Sequence, residues 1–296
     1  MSRRTSQLSD IMYGAWRAVM DRVYAVYDKV SGAIAAIELE TRADGPSAAQ
    51  EKAAQERRSR VPEGMRVYAV GDIHGRADLL KRLMETIRAD AALRAEGERA
   101  ILVFLGDYVD RGFQSKDVID YLLSDSLADF EVVFLKGNHE AAFLEFLSDP
   151  AFGPEWARFG GAETLTSYGI RPPRTRTQME EWTAACEALN EKLPAEHRNF
   201  LAQLDQHVVI GDYVFVHAGL RPGRALEDQV DDDVLWIRDT FLNDNGTFDQ
   251  VVVHGHTPIS APYRDHRRIG VDTGAYLSGK LTAVRLMGED INFVST

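Results

Sequence analysis

Three things are scarce in this 296-residue chain: cysteine, positive charge and long apolar runs. Cys186 stands alone, which excludes a disulfide framework or a thiolate zinc cluster and fits a reducing compartment. No arginine follows it closely to cradle a phosphate, so it reads as a structural residue and not a nucleophile. Lys and Arg number 34 against 46 Asp and Glu, a formal charge of −12. That acid excess repels a phosphate backbone and argues against a nucleic-acid binder held by a basic face. Any phosphorylated substrate has to meet positive charge locally. Arg3 and Arg4 are followed by Asp10, Arg17, Asp21 and Arg22, which interrupt any uncharged core. Neither a signal peptide nor a membrane span is expected, and the expected location is cytoplasmic.

What is present begins with an apolar spacing of three and four over residues 1–37, carried by Ile11, Ala15, Val19, Val23, Val26, Val30, Ile34 and Ile37. It predicts an amphipathic helix that docks on its own domain, pairs with a second copy, or touches a membrane surface through Tyr13, Trp16, Tyr24 and Tyr27. Residues 38–64 are rich in Ala, Gln, Glu, Arg and Ser and read as a solvated linker. Residues 65–296 form the remaining domain. Short β-branched runs predict strands at Met65–Val70, Ala100–Leu105 and Glu131–Leu135, with helices at Asp78–Ala95 and Ser115–Leu127 between them. This βαβαβ run is followed by a helical, charged stretch to Gln206. Strands then return at His207–Ile210, Tyr213–His217, Val251–His254, Ile269–Val271, Leu281–Leu286 and Ile291–Val294.

Five of these strands end in bursts of Gly, Asp, Asn and His: Gly71-Asp72-Ile73-His74-Gly75, Gly106-Asp107-Tyr108-Val109-Asp110-Arg111-Gly112, Gly137-Asn138-His139-Glu140, His217-Ala218-Gly219 and His254-Gly255-His256-Thr257-Pro258. Ligands of open α/β sheets gather beyond the carboxyl ends of strands, so the five loops are expected to converge. Hard oxygen and borderline nitrogen donors without thiolate suit Mn, Fe or Zn, and carboxylates crowded at a sheet end need cations to offset their repulsion.

In this order, over Val67 to Val294, the motifs G-D-x-H-G, G-D-x-V-D-R-G, G-N-H-E, H-A-G and G-H-T resemble the PPP-type, calcineurin-like metallophosphoesterases. The similarity is greatest to bacterial and phage Ser/Thr protein phosphatases, as Trp156 and Gly160 to Leu165 also suggest. The resemblance implies an α/β fold, a four-layer α/β/β/α sandwich of two mixed sheets flanked by helices. It also implies two divalent metal ions, Mn first, with Fe or Zn as alternatives. Asp72 and His74 would hold one ion, Asn138, His217 and His256 the other, and Asp107 would bridge them. His254 would pack behind the site. A metal-bridging hydroxide would attack phosphorus in line. His139 would protonate the leaving oxygen, with Asp110 orienting its ring and favouring its charged form. Arg111, Asn138 and a second arginine would bind phosphate; Arg238 fits that position better than Arg221. Tyr276 either flanks the site or packs in the core.

Two readings of substrate follow. The main one is a protein serine/threonine phosphatase acting on phosphorylated proteins or peptides. It is preferred because Asp110 and the Glu140 of G-N-H-E depart from what the anhydride hydrolases carry. The alternative is a symmetrical dinucleoside polyphosphate hydrolase acting on diadenosine tetraphosphate. A more distant third reading is a non-catalytic, metal-bound adaptor. The stretch from Ala141 to Gln206 is expected to lie beside the mouth of the site.

Overall fold

A computed structural model describes residues 59–296 apart from Arg94 and Glu96. The helix expected over residues 1–37, and the linker as far as residue 58, lie outside the described residues. The elements run β1 (Met65–Val70), α1 (Ala77–Ala91), β2 (Arg99–Phe104), α2 (Ser115–Leu122), β3 (Glu131–Phe134), α3 (Asn138–Ser148), α4 (Gly153–Trp156), α5 (Gly161–Ser167), α6 (Met179–Lys192) and α7 (Ala195–Ala202). After them come β4 (His207–Ile210), β5 (Tyr213–Val216), α8 (Asp231–Trp236), α9 (Asp239–Leu242), β6 (Val251–His254), β7 (Tyr263–Arg264), β8 (Arg268–Gly270), α10 (Ala275–Ser278), β9 (Thr282–Met287) and β10 (Asp290–Ser295). The first helix thus stops four residues short of the expected Ala95. The expected helix to Leu127 breaks after Leu122 into a single 3-10 turn, Asp125–Leu127, capped by the Ser124 hydroxyl.

The strands form two five-stranded mixed sheets, ordered β10-β9-β1-β2-β3 and β4-β5-β6-β8-β7. In the first, β1, β2 and β3 are parallel, with Val67 opposite Ile101 and Val103 opposite Val133. In the second, β5, β6 and β8 are parallel. Side chains alternate across each strand, and the two faces of each sheet are buried against different layers. Val67, Ala69, Ile101 and Val103 face Tyr213, Phe215, Val251 and Val253 between the sheets. Tyr68, Val70, Leu102 and Phe104 turn outward into a second core with Leu80, Met84, Phe143 and Trp156 of the helices. Val214, Val216 and Val252 pack against Leu235 and Phe241 on the far side. Three apolar layers between four layers of structure make the expected α/β/β/α sandwich.

The last residues of the stretch read as a linker belong to this domain. Val61 is fully buried and donates its backbone N–H to Gly288, while the Arg60 N–H is bound by the Asp212 carboxylate. Among the described residues no helix is long and apolar enough to cross a membrane.

Candidate active site

Parallel order carries the carboxyl ends of β1, β2 and β3 to one rim of the first sheet, and those of β5 and β6 to the facing rim of the second. The two rims are tied together. His217 Nδ1 lies 2.8 Å from the Leu105 carbonyl oxygen. The His256 N–H lies 3.1 and 3.2 Å from the two carboxylate oxygens of Asp72. Close approach of these loops requires glycine at two points. A Cβ on Gly255 would overlap the Asp72 carboxylate, and one on Gly137 would overlap the carboxylate and backbone N–H of Asp107.

Among the described residues, the non-glycine residues with positive φ are His74, Asp107, Asp110, Arg111 and His256. All five belong to the motifs. Backbone in this region is costly for a side chain with a Cβ, and it persists only where the surroundings impose it. Glu140 supplies one such constraint. As the third residue of α3 it reaches back to the N–H of Gly137 (3.0 Å) and also accepts from Asp107 and Tyr108 (both 2.8 Å) and Val109 (3.3 Å). One buried carboxyl group thereby fixes two of the five loops.

The polar tips then converge. Asn138 Oδ1 lies 2.8 Å from His217 Nε2 and 2.9 Å from His256 Nδ1. Asp107 Oδ1 is 3.5 Å from His217 Nε2, and its Oδ2 is 3.5 Å from His74 Nε2 and 3.8 Å from His139 Nε2. Two groups of ligand atoms, one from His74, Asp107 and His139 and the other from Asp107, His217 and His256, each lie within 4.8 Å of one another. Asp107 is common to both, as a bridging carboxylate has to be. Asp72 stands beside them with its carboxylate on the His256 N–H. The donor set fits divalent cations in three respects: it is all oxygen and imidazole nitrogen, His256 Nε2 is buried without a hydrogen-bond partner, and carboxyl groups crowd without enough cationic side chains to match them. Burial, Asp272 and Asp107 push the Asp72 carboxyl well up, and burial followed by Glu140 does the same to Asp107. Burial also lowers His74 strongly and His217 to about 3, so the imidazoles are neutral, the form that binds metal.

His139 projects from the first turn of α3, and its Nδ1 is 2.8 Å from Asp110 Oδ2. Asp110 is fully buried and receives two further bonds, from Trp156 Nε1 (3.0 Å) and the Thr164 hydroxyl (2.7 Å). Burial pushes Asp110 up to about 7 and, with Arg111 and Arg238, lowers His139 to about 3. The expectation that Asp110 favours a charged imidazole is therefore opposed by the surroundings: both partners are driven toward their neutral forms. Arg111 stacks over Tyr276 with its carbon 4.6 Å from the ring centroid, is hydrogen-bonded to the Tyr276 hydroxyl, and has a buried Nε without a partner. Tyr276 also sets its ring edge to face against His74, 5.3 Å between centroids, and so flanks the site. Of the two candidate second arginines, Arg221 is bound to Asp233 at 2.5 Å. The Arg238 guanidinium is exposed, and its charge acts on His139, His217 and His256. It makes no ion pair with Asp239 or Asp232 among the described residues. His254 lies behind the site, between the Gly255 carbonyl (3.0 Å) and Arg268 (3.2 Å).

The contacts of four contributors escaped sequence reasoning, although Glu140, Trp156 and the stretch holding Thr164 stood out in the motifs. Trp156 and Thr164 hold Asp110 from 46 and 54 positions away. Glu140 builds the loops, and Asp272 adds another buried carboxyl, pushed up to about 6 by burial. Trp156 and Thr164 fall within the stretch whose similarity to bacterial phosphatases was visible, but nothing there indicated which atom they touch.

The sequence profile described as calcineurin-like phosphoesterase matches residues 65–286. A relative from Anoxybacillus flavithermus, named bis(5'-nucleosyl)-tetraphosphatase PrpE [asymmetrical], is 26% identical over 238 residues, covering 73% of this chain and 88% of its own. A relative of the same name from Geobacillus thermodenitrificans is 29% identical over 240 residues, covering 75% and 90%. Among solved structures, one assigned to a diadenosine tetraphosphatase superposes with a TM-score of 0.53 at 23% identity, covering 78% of this chain and 93% of its own, which supports the fold. These relatives overturn the expectation of a protein serine/threonine phosphatase. The structure adds that Glu140, held by four backbone N–H groups, serves loop construction, while Asp110, held by Trp156 and Thr164, holds the His139 ring, a role that does not by itself select a monoester.

Proposed function

The chain belongs to the calcineurin-like phosphoesterase family, and from that premise we propose that it is a metal-dependent hydrolase of dinucleoside tetraphosphates that cleaves the phosphate chain asymmetrically. The observation that carries this reading is the convergence of Asp72, His74, Asp107, Asn138, His217 and His256 at one pair of sheet rims, in a chain whose relatives share a tetraphosphatase name over most of their length. The family uses a binuclear divalent centre, and these six residues would hold it. Manganese is our choice because the set mixes carboxylate, amide oxygen and imidazole. Two such ions, when bound, polarise phosphoryl oxygens and make water a competent nucleophile near neutral pH.

The protein's own residues do the rest. The Nδ1 contact with Asp110 fixes the His139 ring and leaves Nε2 facing Asp107, the nitrogen from which a departing phosphate oxygen would take a proton. A nucleoside phosphate leaves more readily than a serine alkoxide, so this proton matters less here than for a monoester. Arg111, braced by Tyr276, and the exposed Arg238 offer planar guanidinium groups to the anionic chain. They supply the local positive charge that a chain of net charge −12 otherwise lacks. Separating the products of diadenosine tetraphosphate cleavage by the Mn-loaded full chain tests the proposal. AMP with ATP is the expected pair; ADP alone would show symmetrical cleavage, and no nucleotide product would refute the substrate class.

A further inference from the structure

A second feature of the site mouth is aromatic. Phe159 lies 6.0 Å from the His139 ring and 5.8 Å from Trp236, and Trp236 lies 6.3 Å from the His256 ring. The two rings therefore connect the imidazole on one side of the site to the imidazole on the other. Trp236 is 38% exposed, although Trp156 and Trp182 are buried and spend their indole N–H groups on Asp110 and Thr175. The Trp236 N–H has no protein partner among the described residues. Ile237, buried, anchors the segment while its neighbours Trp236 and Arg238 stay exposed, so a ring and a guanidinium without an ion pair among the described residues flank one anchor point. A partly exposed aromatic surface beside an exposed guanidinium suits a ligand that is flat and apolar at one end and anionic at the other.

We propose that Trp236, backed by Phe159, is the platform on which one nucleobase of the substrate stacks, making Trp236 a specificity-determining residue. The proposal rests on the nucleotide reading above: with a phosphate chain between His139, His256 and Arg238, the base lies one ribose beyond the reacting phosphorus, over these rings. Stacking is tolerant of base identity because every base has a π face, so purines and pyrimidines differ in degree only.

The test uses the full chain loaded with Mn and two ligands that differ by a nucleoside, the α,β-methylene analogue of ATP and inorganic tripolyphosphate, with dissociation constants measured by calorimetry. Trp236→Ala is expected to weaken the nucleotide about tenfold and tripolyphosphate about fivefold less than that, while Trp236→Phe retains most of the nucleotide's advantage. Phe159→Leu, a smaller disturbance, is expected to shift the same ratio in the same direction. Equal weakening of both ligands, or no change in either, would overturn the platform. The two readings fail separately. If diadenosine tetraphosphate is cleaved but Trp236→Ala does not change the ratio, only the platform falls. If it is not cleaved and the ratio still collapses, the platform stands and the substrate assignment falls.

Discussion

The interior between the two sheets and the rim where the same strands end obey opposite rules. Inside, Val67, Ala69, Phe215 and Val253 are apolar and fully buried in regular strands. A few residues further along those same strands or into the loops after them, Asp72, His74, Asp107, His217 and His256 are as deeply buried but polar, and three of these five sit at positive φ. The interior gains free energy from burial, whereas the rim concentrates strained backbone and carboxyl groups driven from their ordinary titration range. Stability is made between the sheets and used at their ends.

The contrast can be broken from either side. Phe215→Ala empties a fully buried position, and thermal or denaturant unfolding should show a loss of about 3–5 kcal/mol, with kcat of the folded protein changed by no more than about twofold. Asp107→Asn should do the reverse. It removes a charge that burial disfavours, so the chelator-treated variant should melt no lower than the wild type, while kcat/KM falls on the order of 10³-fold and metal content drops. A simultaneous collapse of stability in the second variant would contradict the division of labour.

Smaller effects sharpen the same contrast. Trp156→Phe keeps the packing against Phe143 and Phe146 but deletes one of the bonds that hold Asp110. A loss of about tenfold in kcat with metal content unchanged is expected, on the scale of a group acting through another. The mildest effect is on pH. In the chelated protein Asp110 and Glu140 are raised to about 7, and Asp72 and Asp107 are driven in the same direction, so the native state binds more protons than the unfolded one. Stability then falls as pH rises. The buried histidines, His139, His217 and His254 among them, are lowered and act oppositely, but only below their unfolded value of 6.5. The melting temperature of metal-free protein should therefore decline as pH is raised above 6.5, and Mn should reduce the decline. A flat or rising profile would contradict the burial of these carboxyls.

The two halves of the comparison were legible to different degrees. The β-branched runs marked nine strands, because a strand buried on both faces leaves a continuous apolar stretch, as in β1, β2 and β5, and the half-open β4 and β10 keep enough β-branched residues to show. The edge strand β7, two exposed residues at Tyr263–Arg264, leaves no such trace. The rim was legible because glycine, carboxylate and histidine bursts follow predicted strands, and parallel order brings strand ends together. Contacts made across the chain were not legible. Asp272 sits in an ordinary-looking Val271-Asp272-Thr273-Gly274 turn, and the hold of Trp156 and Thr164 on Asp110 exists only after α4 and α5 pack against the loop. Substrate class was not legible, because the departure of Asp110 and Glu140 from the anhydride-hydrolase pattern does not decide it: Glu140 builds the rim and Asp110 holds the His139 ring.

The most direct test compares kcat/KM for diadenosine tetraphosphate and for a phosphoseryl peptide, using the same Mn-loaded preparation of the full chain. We expect the dinucleotide to be preferred by about tenfold or more, with both activities lost on chelation and restored by metal. Preference for the peptide, or dinucleotide cleavage that survives the chelator, would contradict it.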